Sequence, residues 1–225
     1  KVLFSGQDEK LLSRNNNELL QSKLNQDIHQ DIQNGLCYDS TIPNGYGLGS
    51  SGALVAALYN DYFLYKETEL KLLKLELAEI ESFFHDKSSG IDPLTSYLNK
   101  PLLSQANTIQ ILDGISLNNF QLVNSQIKRN AKSAIKHFHS LSKNKDFQMA
   151  LEKLKEISEI MIQKWLQNEL IEIEMKEYSR MQLKYFVDFI PKSTQNQWMQ
   201  GLEDNSHYMK LCGAGMGGMY LKYIP

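Results

Sequence analysis

The sequence predicts an α+β protein, and three observations predict it. Leu70, Leu73, Leu77, Ile80 and Phe84 recur at steps of 3, 4, 3 and 4, one apolar stripe along a helix. Short runs rich in β-favouring residues, such as Gly35 to Ile42 and the run opening Tyr208-Met-Lys-Leu, are bounded by glycine or proline. Two glycine-rich turns, Gly45 to Gly52 and Gly213 to Gly218, punctuate the chain where such runs end.

Taken in order, Lys1 to Phe4 reads as a short buried strand, broken by Ser5-Gly-Gln-Asp-Glu9. A polar, helical stretch runs on to Gln33. Gly35 to Ile42 reads as a strand feeding a loop, because Pro43 holds its predecessor extended. After the glycine loop, Ser51 begins SGALVAALYNDYFLY, rich in alanine and leucine with no interior breaker, which predicts a helix. The leucine stripe predicts a second helix from Thr68 to Phe84, stopped by HDKSSGIDP with Gly90 and Pro93 as punctuation. Residues 94–124 read as strands and turns. Three helices follow, Gln121 to Lys143, Asp146 to Leu170 and Glu172 to Phe189, with Pro191 ending the third. The closing YMKLCGAGMGGMYLKYIP reads as strand, glycine turn and strand. A boundary between 100 and 125 divides the chain, so 1–115 is expected to be one domain and 116–225 the other. No internal repeat is visible.

With 225 residues the chain is long enough for one large core or two small ones. A net charge of −2, with lysines interleaved among acids along helical segments, argues against a nucleic-acid surface. Cys37 and Cys212 are too few for a disulfide framework or a structural zinc site, so each is expected as a small buried hydrophobe in a reducing compartment. No run approaches the ~18–20 apolar residues of a membrane span, and Lys1 to Gly6 turns polar too soon for a signal peptide. The expectation is a cytoplasmic protein.

Chemistry concentrates in three places. The loop from Gly45 to Gly52 holds four glycines and two serines and opens directly into a helix. Bare main chain at a helix N-terminus presents free N–H groups at the positive end of the dipole, an arrangement suited to phosphate. Ser50 and Ser51 lie where hydroxyls cap the helix, bond a phosphate oxygen or reach a magnesium ion. Gly47 to Gly52 formally matches G-x-G-x-x-G, but a helix follows where a dinucleotide fold needs a strand, and no G-K-[ST] is present. The bland alternative is a tight turn with a capped helix, but four glycines are more than such a turn requires.

Second, Glu81 lies beside the apolar stripe near the helix end, with Asp92 eleven residues on. An inward carboxylate is costly unless paired or bound to metal. The pair is therefore read as one carboxylate for Mg²⁺ and one for a substrate hydroxyl, against a solvated Glu81 and an Asp92 that merely precedes Pro93. His85 reads more readily as structural, and His137 and His139, two apart on a helix, face different ways. His29 and His207 stand at no ligand spacing. Third, Gly213 to Gly218 is either a hairpin turn or another wall for the same polyanion.

These residues resemble the GHMP kinase family (galactokinase, homoserine kinase, mevalonate kinase and phosphomevalonate kinase). Pro43-x-x-x-Gly47-Leu-Gly-Ser-Ser51-Gly-Ala is similar to the family's P-x-x-x-G-L-G-S-S-A signature, with Gly52 for the usual alanine. Lys210-Leu-Cys-Gly213-Ala-Gly-Met-Gly-Gly218 resembles its C-terminal glycine motif, with Met216 where glycine is common. Glu81 to Asp92 is similar to the mevalonate kinase segment E-x-x-x-H-G-x-x-S-G-x-D; His85, Ser89, Gly90 and Asp92 match, and Asp86 replaces the glycine.

The resemblance implies a two-domain fold, an S5-like α/β domain followed by a ferredoxin-like α+β domain, and ATP and Mg²⁺ as cofactors. It implies nucleotide contacts at Gly45, Gly47, Leu48, Gly49, Ser50, Ser51, Gly52, Ala53, Gly213, Ala214 and Gly215. Ser51 and Glu81 become metal ligands, and His85, Ser89, Gly90 and Asp92 substrate contacts. Asp92 becomes the residue that takes or orients the hydroxyl proton, with Lys1 as the remnant of the family's N-terminal lysine. The G-E-[HY] expected after that lysine is absent, and the family has more N-terminal strands than this sequence supplies, so residues are expected to be missing near Phe4 to Asp8. The activity implied is phosphorylation of mevalonate, by a monomer or homodimer with no nucleic-acid or membrane partner. Rival readings are another family enzyme, including diphosphomevalonate decarboxylase, or a non-catalytic binding protein on the same scaffold.

Overall fold

A computed structural model describes residues 2–3, 18–84, 87–105 and 108–225. Helices and short antiparallel strands alternate along the chain, an α+β architecture. The chain divides into two compact units, residues 1–43 with 49–113 and residues 44–48 with 114–225.

The first unit contains β1 (Val2–Leu3), α1 (Glu18–Lys23), α2 (Asp27–Gln33), β2 (Cys37–Tyr38), α3 (Ser50–Tyr62), α4 (Leu70–Glu81), α5 (Ile91–Leu98), β3 (Leu102–Gln105) and β4 (Thr108–Ile111). The stripe on α4 does what its period requires: Leu73, Leu77 and Ile80 are buried against Val55, Leu58 and Tyr59 of α3 and Leu94 of α5. At the other end of this core the Tyr59 hydroxyl donates to Glu76 at 2.8 Å and accepts from the Glu67 amide at 2.9 Å. Lys23 completes the network by pairing with Glu76, so the half-buried carboxylate has both oxygens satisfied. β1 pairs with β2 and β3 with β4, two antiparallel ribbons.

The helix α5 corrects the expectation of strands from residue 94. Gly90, at φ +73°, caps it in the left-handed region, and Pro93 falls in its first turn, where a missing N–H costs nothing. A Cβ on Gly90 would lie 2.4 Å from the Lys74 carbonyl oxygen, so only glycine lets α5 begin against α4.

The second unit contains β5 (Phe120–Asn124), α6 (Ala131–Leu141), α7 (Lys145–Leu166), α8 (Glu172–Tyr185), a 3₁₀ turn (Val187–Phe189), α9 (Lys192–Asp204), β6 (Tyr208–Leu211) and β7 (Met219–Tyr223). The helix expected over 121–143 begins instead at Ala131, with the Asn130 side chain accepting from the Ser133 amide. The residues before it form β5, which pairs with β7 from Phe120↔Tyr223 to Asn124↔Met219. Here tertiary pairing overrides local preference. Pro191 ends one helical stretch and also opens α9, which the sequence reading passed over.

The three strands lie in the order β5-β7-β6, all antiparallel. β6 is an edge strand, yet its outward amides are not left open. Ser179 Oγ on α8 accepts from Met209 N at 3.1 Å and Gln182 Oε1 accepts from Leu211 N at 2.9 Å. Two buried polar side chains thus protect the sheet edge. Trp198, Met209, Tyr220, Phe186 and Phe189 form the core beside it.

Cys37, on the two-residue strand β2, is exposed and Cys212 half-buried, so neither is the buried hydrophobe expected. Among the described residues no helix is long and apolar enough to cross a membrane.

Candidate functional site

In the first unit the glycine loop becomes a helix at Ser50. Gly49, left-handed at φ +67°, is the N-cap, so the cap is made by backbone and not by a serine hydroxyl. The first intrahelical bond runs from Ala53 N to Gly49 O at 2.8 Å. The amides of Ser50, Ser51 and Gly52 therefore have no acceptor within the helix and stand at its positive end.

The two carboxylates singled out from the sequence both come to this helix start. Glu81, the last residue of α4, is only 6% exposed. Its Oε1 accepts from Ser51 Oγ at 2.9 Å, and its Oε2 accepts from Ser88 Oγ. Asp92 sits in the first turn of α5, exposed, with no hydrogen bond to its carboxylate among the described residues. It lies against the glycines: a Cβ on Gly49 would be 3.7 Å from Asp92 Oδ2. A Cβ on Gly52 would be only 2.7 Å from the Asp92 carbonyl carbon and the Pro93 nitrogen. Gly52, unusual in the resembled signature, is what lets α5 close on α3.

A divalent cation fits this donor set. A buried carboxylate met by hydroxyls, and by no cation among the described residues, leaves negative charge to be balanced. Oxygen-only ligands select Mg²⁺ or a similar hard ion. The described residues hold no cluster of three or more His, Cys, Asp or Glu. Mg²⁺ commonly binds through one or two carboxylates and takes its other oxygens from phosphate and water.

The other half of the loop belongs to the second unit. Gly45 O accepts from Arg129 N at 3.0 Å, and Tyr46 O from Met219 N at 3.0 Å. The Arg129 guanidinium reaches both glycine motifs: a Cβ on Gly47 would be 2.9 Å from its Nη1, and one on Gly213 3.0 Å. No carboxylate among the described residues pairs with Arg129. Lys128 lies along Gly45. Leu48, half-buried, ends this segment. Ala214 packs on the Trp198 core, and Gly215 runs close to the Phe189 carbonyl. Met216 adopts φ +57° where the resembled motif commonly has glycine, and its amide donates to Phe189 O at 2.7 Å.

Lys1 and His85 lie outside the described residues. Ser89 is exposed, and its hydroxyl accepts from the Ile91 amide at 3.3 Å, closing a local turn. Its neighbour Ser88 contacts Glu81. Sequence reasoning passed over Ser88 and Arg129. The resembled motif pointed to Ser89 and away from its neighbour, and Arg129 stands in a polar stretch whose partners are remote in sequence.

A family model for the GHMP kinases N terminal domain matches residues 16–100. Among solved structures, the crystal structure of L. major mevalonate kinase in complex with R-mevalonate matches with a TM-score of 0.61 at 15% identity, over 84% of this chain and 59% of that one. The mevalonate kinase from methicillin-resistant Staphylococcus aureus MRSA252 matches with a TM-score of 0.49 at 22% identity, over 82% of this chain and 60% of that one. The chain thus spans less than two thirds of the length of either. No curated protein matches it.

Proposed function

Proceeding from a GHMP kinase N-terminal domain over residues 16–100, we propose that the protein transfers the γ-phosphoryl group of ATP to the hydroxyl of a small alcohol, mevalonate. The observation that carries this reading is the meeting of Glu81 and Asp92 at one helix start rich in free amides. A structural turn needs neither acid there. Mevalonate is preferred because Glu81 to Asp92 resembles the mevalonate kinase segment, and because a mevalonate kinase bound to R-mevalonate shares the fold.

Phosphoryl transfer to an alcohol asks little covalent chemistry of a protein; positioning and charge neutralisation do most of the work. The amides of Ser50, Ser51 and Gly52 hold phosphate oxygens with donors already aligned. Ser51 Oγ and the Glu81 carboxylate would hold an Mg²⁺ ion. When bound, that ion neutralises charge on the transferring phosphate oxygens. Asp92, exposed and unclaimed by donors among the described residues, accepts the proton of the attacking hydroxyl.

The test mixes the protein with ATP, Mg²⁺ and one of mevalonate, phosphomevalonate, galactose or homoserine, and measures ADP. Mevalonate-dependent release is the expected result. Release with another alcohol reassigns the acceptor, and release with none of them removes the enzyme reading in favour of a binding protein.

A further inference from the structure

The segment His85-Asp-Lys-Ser-Ser-Gly90 offers two adjacent serines, and the motif singles out the second, Ser89. The structure uses the first. Ser88 Oγ donates to Glu81 Oε2 and accepts from the Gly90 amide at 2.9 Å. A hydroxyl has one proton, and an amide N–H can only donate. The direction of both bonds is therefore fixed: the Ser88 proton must go to the carboxylate.

The consequence falls on Glu81. The terminal torsion of a glutamate is broad and roughly two-fold, so a carboxylate with one contact turns freely. Here each oxygen has its own donor, Ser51 on α3 and Ser88 on the strap before α5. Oε2 is tied to the strap and Oε1 is left beside Ser51 Oγ, 2.9 Å away. Neighbouring oxygens in an octahedral Mg²⁺ shell, with ligands at 2.0–2.1 Å, also stand about 2.9 Å apart. Oε1 and Ser51 Oγ thus hold the spacing of two adjacent ligands before any ion arrives.

We infer that Ser88 is a positioning residue: it holds Glu81 as a one-oxygen ligand for the divalent cation and ties that ligand to the cap of the helix carrying Asp92. The inference rests on the reading of Glu81 as a metal ligand. Ser88 touches neither nucleotide nor acceptor in this account. It acts through Glu81, and through Gly90, which lies two residues before Asp92.

The experiment titrates Mn²⁺ into the intact protein with ADP present and follows free Mn²⁺ by electron paramagnetic resonance. Ser88→Ala is expected to weaken Mn²⁺ binding about tenfold, the scale of losing a hydrogen bond to a metal-bound carboxylate. Ser88→Thr, which keeps the hydroxyl, is expected to retain wild-type affinity, and so is Ser89→Ala. In turnover assays the Ser88→Ala half-saturating Mg²⁺ rises by the same factor while kcat at saturating Mg²⁺ is kept. Should Ser88→Ala fail to fold by circular dichroism, Ser88→Cys carries the test, because it keeps the volume with a much weaker donor. Wild-type Mn²⁺ affinity in the folded Ala or Cys variant overturns the inference. If Glu81→Gln abolishes binding while Ser88→Ala does not, only the role of Ser88 is lost. If the wild type binds no Mn²⁺ with ADP, the phosphoryl-transfer reading is lost as well.

Discussion

Asn44 to Leu48 and Gly49 to Gly52 are consecutive in the chain, yet they belong to different units and keep opposite company. The later half lies among acids: Glu81 bonded to Ser51, and Asp92 against Gly49 and Gly52. The earlier half lies among bases, with Lys128 along Gly45 and Arg129 against Gly47 and Gly213. Glycine serves both by giving up side-chain volume, but what fills the volume differs. Acids suit a divalent cation and a hydroxyl proton, whereas a guanidinium suits phosphate oxygens. A glycine-rich loop thus says that something approaches the backbone, and its neighbours say what.

The largest effect is expected on the acid side. Asp92→Asn keeps the shape and removes the proposed proton acceptor. Turnover should fall by about 10²–10⁴, the range for a general base, with ATP binding retained in a nucleotide titration. An active Asp92→Asn enzyme breaks the assignment of the acid half to proton transfer.

Gly52→Ala comes next. The added methyl meets Asp92 and Pro93 backbone at 2.7 Å, so α5 must move off α3 or the site must strain. Such overpacking costs ~1–3 kcal/mol of stability, read as a lower Tm, together with reduced turnover as Asp92 shifts. Unchanged Tm and activity would show that the close approach is not needed.

On the basic side, Arg129→Met keeps most of the packing and removes the charge. A hydrogen bond to a charged group contributes about 1.5–3 kcal/mol, so binding of inorganic phosphate by this unit should weaken about tenfold or more, with little change in Tm. A larger loss of Tm than of phosphate affinity would make Arg129 a structural clamp on the two glycine motifs and erase the contrast between the halves.

The smallest effect separates the acid sensitivity of the fold from that of the site. His207 Nε2 is shut off from solvent, and Nδ1 meets Ser206 Oγ at 2.9 Å. Burial, reinforced by Lys222, holds the ring below the ordinary histidine value of 6.5. Below that value the unfolded chain takes up a proton that the folded chain resists, so this share of stability is present above it and declines as the pH falls. Melting followed from about pH 7.5 down to pH 5.5 should show a loss in Tm that His207→Gln reduces. An identical slope in the variant would assign the acid sensitivity elsewhere.

Legibility in the sequence followed the range of the interaction. The α4 stripe and the helix after the glycine loop were readable because periodicity and propensity act within a few residues. α5 was missed because Gly90 and Pro93, which read as a stop, also make a left-handed cap and a first turn. β5 was left between a strand reading of 94–124 and a helix starting at 121, because its partner β7 lies about a hundred residues away. At the site, residue types and spacing pointed to Glu81 and Asp92, but not to Ser88 or Arg129, whose roles come from what they touch.

By itself the sequence determined which segments had one good local solution: an apolar stripe that must be buried on one side, and bare backbone before a helix that must present free amides. Only the tertiary structure decided which serine faces Glu81, that Asp92 rides on a helix, and that one loop is shared between two units. Those outcomes depend on contacts between segments distant in sequence, where angstrom-scale differences in approach choose among partners of the same chemical type.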